Sequence, residues 1–161
     1  MGRARKVIQL FLGFALRLTM AHVVTYWVVG GIWYGLVTHK YYAGPEALPT
    51  LRDPNSDFVL KWILPAEILR GVLYALALFP LRRALVELGR WGGVVMASLM
   101  LIIGSIAGIS GLIESWVFST TAHVEVFVAT LPEIVVQSLL FGYLVVYWER
   151  RYGVKISGIA A

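Results

Sequence analysis

Phe58-Val59-Leu60-Lys61-Trp62-Ile63-Leu64-Pro65-Ala66-Glu67-Ile68-Leu69-Arg70-Gly71-Val72-Leu73-Tyr74-Ala75-Leu76-Ala77-Leu78-Phe79-Pro80-Leu81 is a run of 24 residues with three charges, Lys61, Glu67 and Arg70. A bilayer core needs about 20 predominantly apolar residues of helix, so this run is long enough to cross. It lacks the apolar–polar alternation of a membrane β-strand, and four strands could not close a barrel. Similar apolar runs occupy residues 7–38, 91–118 and 124–148. Together they predict an all-α integral membrane protein, a four-helix bundle forming one transmembrane domain over residues 1–161.

Composition supports the same class. Of 161 residues, 59% are hydrophobic and 14% charged. Soluble domains average about 45–50% and about 25%. A soluble globular enzyme, a disordered chain and a coiled coil are excluded. There is no cysteine. Disulfides, thiolate metal ligands, iron–sulfur clusters and cysteine nucleophiles are therefore excluded too.

The net charge is +5. The basic residues flank apolar runs, which fits the positive-inside rule better than nucleic-acid binding. Arg3, Arg5, Lys6, Arg82, Arg83, Arg90, Arg150, Arg151 and Lys155 fall on one side. Lys40, Arg52 and Lys61 fall on the other. This imbalance predicts a multi-pass cell-membrane protein with both termini cytoplasmic. The start, Met1-Gly2-Arg3-Ala4-Arg5-Lys6 before Val7 to Leu16, resembles a signal-peptide opening. No clear cleavage site follows and Arg17 interrupts the run, so an uncleaved anchor is expected.

The first run is long for one span, about 48 Å as helix. Either it is a tilted, protruding helix, or the residues before Arg17 lie along the inner surface. Between the first two runs, Pro45, Pro49, Pro54 and Asp53-Pro54-Asn55-Ser56 predict an irregular loop. Trp33, Tyr34, Tyr41, Tyr42, Trp62 and Trp116 fall near one interface, and Trp91, Tyr147, Trp148 and Tyr152 near the other, as aromatic belts do.

Two stretches resemble each other. Leu64-Pro65-Ala66-Glu67-Ile68 and Arg82-Arg83 recur as Leu131-Pro132-Glu133-Ile134 and Arg150-Arg151, with Ala66 gapped. A polar residue follows one turn later in each, Arg70 and Gln137. Gly31-x-x-x-Gly35 in the first run is matched by Gly104-x-x-x-Gly108, then Gly111, in the third. Small residues at this spacing let membrane helices approach closely, so these five glycines are candidate packing positions. The chain thus reads as two similar helical hairpins, a parallel duplication about an axis along the membrane normal.

Ionisable groups inside a bilayer cost roughly 2.5–3.5 kcal/mol each on insertion scales. Glu67, Arg70, Glu114 and Glu133 are such residues, with Gln137 and His22 beside them as binding or ion-path candidates. By helical rise, Glu67 and Glu133 stand at matching heights, about 22 and about 24 Å above the basic ends of their runs. Glu114 lies near the far boundary. Glu67, Arg70 and Tyr74 share one helix face, and Thr130, Glu133 and Gln137 share another. His22 joins their level only if the first run is helical from Lys6. Arg17 is expected to snorkel to the near interface.

These residues fit a site open to water, interhelical glue between an acid and Arg70, or a contact with another subunit. His22, Glu67 and Glu133 would be an acceptable ligand set, but no Glu-x-x-His pair is present and no metal or other cofactor is expected. No nucleophile elbow, phosphate loop or dinucleotide fingerprint occurs. Three functions remain. The first is a small non-enzymatic membrane subunit or accessory protein, associating with other membrane subunits or with itself in the lipid bilayer. The second is a small oligomeric ion, proton or solute transporter using the glutamate layer. The third, an intramembrane enzyme, has no specific feature in its favour, so enzymatic activity is not expected.

Overall fold

In hydrocarbon a backbone must satisfy its own hydrogen bonds, and a Leu-, Val- and Ala-rich run does so as helix. The computed structural model describes residues 3–43, 45, 47–48, 52–102 and 124–153, and among these it is all-helical, with no strand. The helices are α1 (Arg3–Thr25), α2 (Gly31–Trp33), α3 (His39–Tyr42), α4 (Asp57–Leu78), α5 (Arg82–Glu87), α6 (Arg90–Leu101) and α7 (Val124–Tyr152). Three helical paths are long and apolar enough to cross a membrane: Ala4–Tyr42, Asp57–Glu87 and Phe127–Tyr152. α6 is apolar but shorter. The rest of the expected third span, with Gly104, Gly108, Gly111 and Glu114, lies outside the described residues.

The first path answers the question posed by its length. It is helical straight through Arg17, and two π-helical turns, Tyr26–Gly30 and Tyr34–Thr38, link α1, α2 and α3. Phe11 and Phe14, before Arg17, pack on Phe79 with ring centroids 5.4 and 5.9 Å apart. The residues ahead of Arg17 are therefore part of the bundle and not a separate surface segment.

The second path runs on past Pro80. A 3-10 turn at Phe79–Leu81 carries the chain into α5, and the reversal comes later, at Gly89. Gly89 has a φ of 61°, a left-handed conformation that favours glycine. Three residues on, a Cβ at Gly92 would strike the Leu85 carbonyl, so this corner requires glycine twice. Ahead of α4, Asp53 organises the expected turn. Its side chain accepts from the Asn55 N–H at 2.8 Å, and its carbonyl accepts from the Ser56 hydroxyl at 2.7 Å.

α1 packs chiefly on α4, and α6 on α7, with α1 also meeting α7. Glycines let these pairs close. A Cβ on Gly71 would lie 2.9 Å from Thr19, and one on Gly142 would meet the Gly93 carbonyl and Ala97 N. Toward the end where α1 begins and α7 finishes, Phe14, Leu18, Ala21, Leu78, Leu85, Met96, Phe141 and Val145 form a dry core. We call this the terminal half, and the opposite end the distal half. The outward faces carry Leu16, Ile32, Leu36, Leu69, Leu73 and Leu140, all exposed. That is the surface a lipid-facing helix presents.

Candidate functional site: a polar cavity in the distal half

The site begins with helix continuity. Because α1 is unbroken, His22 rises to the level of Glu67, and its Nε2 lies 2.7 Å from Glu67 Oε2. The two groups share one hydrogen bond, with the donor set by the imidazole tautomer. Arg70, one turn along α4, reaches both Glu67 oxygens from Nη1, at 3.1 and 3.2 Å. The Glu67 side chain is 4% exposed, whereas that of Arg70 is 49% exposed. Glu67 is thus a buried acid held by two partners, and Arg70 reaches inward from an open position.

Aromatic rings surround His22. Tyr74 and Phe141 stand edge-on to it at 5.3 and 6.0 Å, and Tyr26 lies at 6.3 Å. Above this cluster the helices part. A cavity of about 540 Å³ opens between them. Its walls come from His22 and Tyr26 on the first path, Tyr42 on α3, Arg70 and Tyr74 on α4, Met100 on α6, and Thr130, Glu133, Gln137 and Ser138 on α7. It is lined largely by polar groups.

Of the residues named from the sequence, His22, Arg70, Glu133 and Gln137 meet on this wall, and Glu67 sits directly behind it. Glu133 makes no hydrogen bond or ion pair among the described residues. Its carboxylate oxygen lies against Gly30, 3.2 Å from where a Cβ would be. Glu114 lies outside the described residues. The π-helical turn Tyr26–Gly30 forms part of the same wall, and π-helical turns recur at functional sites. Above Glu133, one turn nearer the start of α7, the carbonyl of Ala129 accepts from the Trp33 indole at 2.8 Å, in the turn that Pro132 interrupts.

The glycine expectation divides differently. Gly31 and Gly35 have no neighbour within 4 Å of a Cβ among the described residues, and Gly104, Gly108 and Gly111 lie outside them. Close helix contacts among the described residues are made at Gly71, Gly92, Gly93 and Gly142.

Three tyrosines of the cavity were not singled out as a group. Tyr26 stands four residues after His22 and Tyr74 seven after Glu67, helical spacings that place each on its partner's face. Tyr42 carried only an interfacial signal. A second polar cluster was also missed. In the terminal half, Glu149 accepts from Arg17 Nε at 2.9 Å and Nη2 at 2.6 Å, and from Arg82. The Glu149 side chain is 2% exposed. Arg17 therefore does not snorkel alone to the interface. It pairs across the bundle with α7.

No group of three or more His, Asp or Glu side chains gathers as a metal site among the described residues. The fold and cavity define an all-helical protein with candidate membrane-spanning helices and a polar pocket between them. Beyond that class, no protein-family model, curated protein or solved structure matches the chain.

Proposed function

We propose that the chain is a small transport protein of the cell membrane, in which the distal cavity is the binding site of an ion or solute pathway. In this reading four spans form two similar hairpins, both termini are cytoplasmic, and the cavity opens to the outside. The observation that carries it is a polar cavity inside a bundle whose outer faces are apolar. Interhelical glue accounts for Glu67, which has two partners, but not for Glu133, which has none among the described residues. A half-buried acid without a partner among the described residues is an ionisable group inside an apolar bundle, and in a membrane such a group marks a site.

The dry core and the Glu149 cluster support the same reading, because they close the cytoplasmic end beneath the cavity. The test is flux. Purified chain in proteoliposomes, with a trapped pH-sensitive dye and a panel of cations and polar solutes outside, is expected to dissipate a gradient. The Glu67→Gln, Glu133→Gln double variant is expected to remove that activity. Flux equal in the wild type, the double variant and empty vesicles defeats the proposal.

A second reading has one observation behind it. The face bearing Gly31, Ile32, Gly35 and Leu36 is exposed and shaped for close helix approach. It suits a membrane subunit that associates with another copy or with partner subunits. Copurification from native membranes separates the two readings, and a lone monomer after mild extraction counts against association.

A further inference from the structure

Charge and ring chemistry narrow what the cavity takes. Arg70 is engaged by Glu67, and Glu67 is also engaged by His22. Counting His22 as neutral, the Glu67–Arg70 pair cancels. When ionised, Glu133 then gives the wall a surplus negative charge. An anion would have to displace Glu67 from Arg70 while meeting Glu133. A cation meets an acid that lacks a partner among the described residues, in surroundings where Coulomb attraction is less screened than in water.

The wall is also aromatic. Tyr26, Tyr42, Tyr74 and Phe141 contribute rings from four helical segments. Aromatic faces attract cations through the ring quadrupole, most strongly when both are desolvated. A small inorganic cation, which retains water or seeks oxygen ligands, draws little from such rings. An alkylammonium draws on the acid and the rings together. The volume of about 540 Å³ lies within the range of roughly 300–1,000 Å³ typical of pockets for drug-sized ligands.

We infer that the distal cavity binds an organic cation, with its ammonium held between the Glu133 carboxylate and the rings of Tyr26, Tyr42 and Tyr74. The inference rests on the transport reading in taking this cavity as the working site, and it specifies the ligand. Glu133 supplies the charge, the tyrosines supply selectivity for a poorly hydrated cation, and the Glu67–Arg70–His22 network fixes the wall behind them.

Equilibrium dialysis of the full chain in mild detergent tests this without requiring flux. The probe is benzyltrimethylammonium, beside its neutral carbon isostere and benzenesulfonate. The cation is expected to bind, and the other two are not. Glu133→Gln should weaken binding at least tenfold. Tyr26→Leu and Tyr74→Leu should each weaken it by about 3- to 30-fold, while Tyr26→Phe retains it. Tryptophan fluorescence melting checks that each variant is folded.

Equal binding of the neutral isostere, preference for the sulfonate, or undiminished binding by folded Glu133→Gln overturns the inference. Glu133-dependent flux of inorganic cations without benzyltrimethylammonium binding also overturns it, while leaving the transport reading intact. Glu133-dependent cation binding without flux upholds the ligand assignment and overturns transport instead.

Discussion

The terminal and distal halves of the bundle treat their acids in opposite ways. In the terminal half, Glu149 is enclosed and held by two arginines from two other helices. Around it, large side chains such as Phe14, Leu18 and Met96 are fully buried. In the distal half, Glu133 faces a cavity without an ion-pair partner among the described residues, and phenol rings line the space. The same residue type is a fastener at one end and an open valence at the other. The comparison teaches that burial alone does not assign a role. What matters is whether the fold has already supplied the countercharge.

Breaking the fastener should have the largest effect. Glu149→Leu removes the carboxylate shared by Arg17 and Arg82, whose side chains are 20% and 12% exposed. Removing one member of such a cluster costs about 3–5 kcal/mol. The expected result is a large loss of thermal stability in detergent, measured by tryptophan fluorescence. A shift of only a degree or two would mean that the arginines find water and that the cluster is not structural.

Overfilling the helix contact comes next. Gly142→Val drives a branched side chain onto the Gly93 carbonyl and Ala97. Overpacking of this kind costs about 1–3 kcal/mol, and reversible unfolding in mixed micelles is the measurement. Equal stability would show that α6 and α7 are free to move apart. Glu133→Gln sharpens the contrast from the other side. It should change stability by less than about 0.5 kcal/mol, as a group outside the ion-pair clusters of the described residues does, while weakening cation binding at least tenfold. Marked destabilisation would instead make Glu133 a second fastener.

The smallest effect on folding is expected for Gly31→Leu with Gly35→Leu. Nothing lies within 4 Å of a Cβ at either position among the described residues. Stability of the monomer should be unchanged within about 0.5 kcal/mol. Any altered size in chromatography or cross-linking would then report contact with another subunit.

Much of the helical plan was legible in sequence. Apolar runs gave three of the crossing paths, and Asp53-Pro54-Asn55-Ser56 gave the turn. The shared face of Glu67, Arg70 and Tyr74 followed from helical spacing. Other features depend on distances that spacing along one helix does not encode. Whether His22 reaches Glu67 depends on α1 staying unbroken through Arg17, and a charge within an apolar run fits either outcome. The Arg17–Glu149–Arg82 cluster requires three helices to converge.

The partner of Arg17 stands 132 residues further along the chain. At synthesis rates of about 5–20 residues per second, that separation corresponds to a delay of ~10 s. During that interval the nascent first helix carries an arginine whose final counterion has not yet been made. The bundle therefore cannot mature helix by helix. Its earliest segment waits for its latest, and a ribosome stalled before Glu149 would leave a chain that displays an unmated charge, a ready mark for the machinery that removes unfinished membrane proteins.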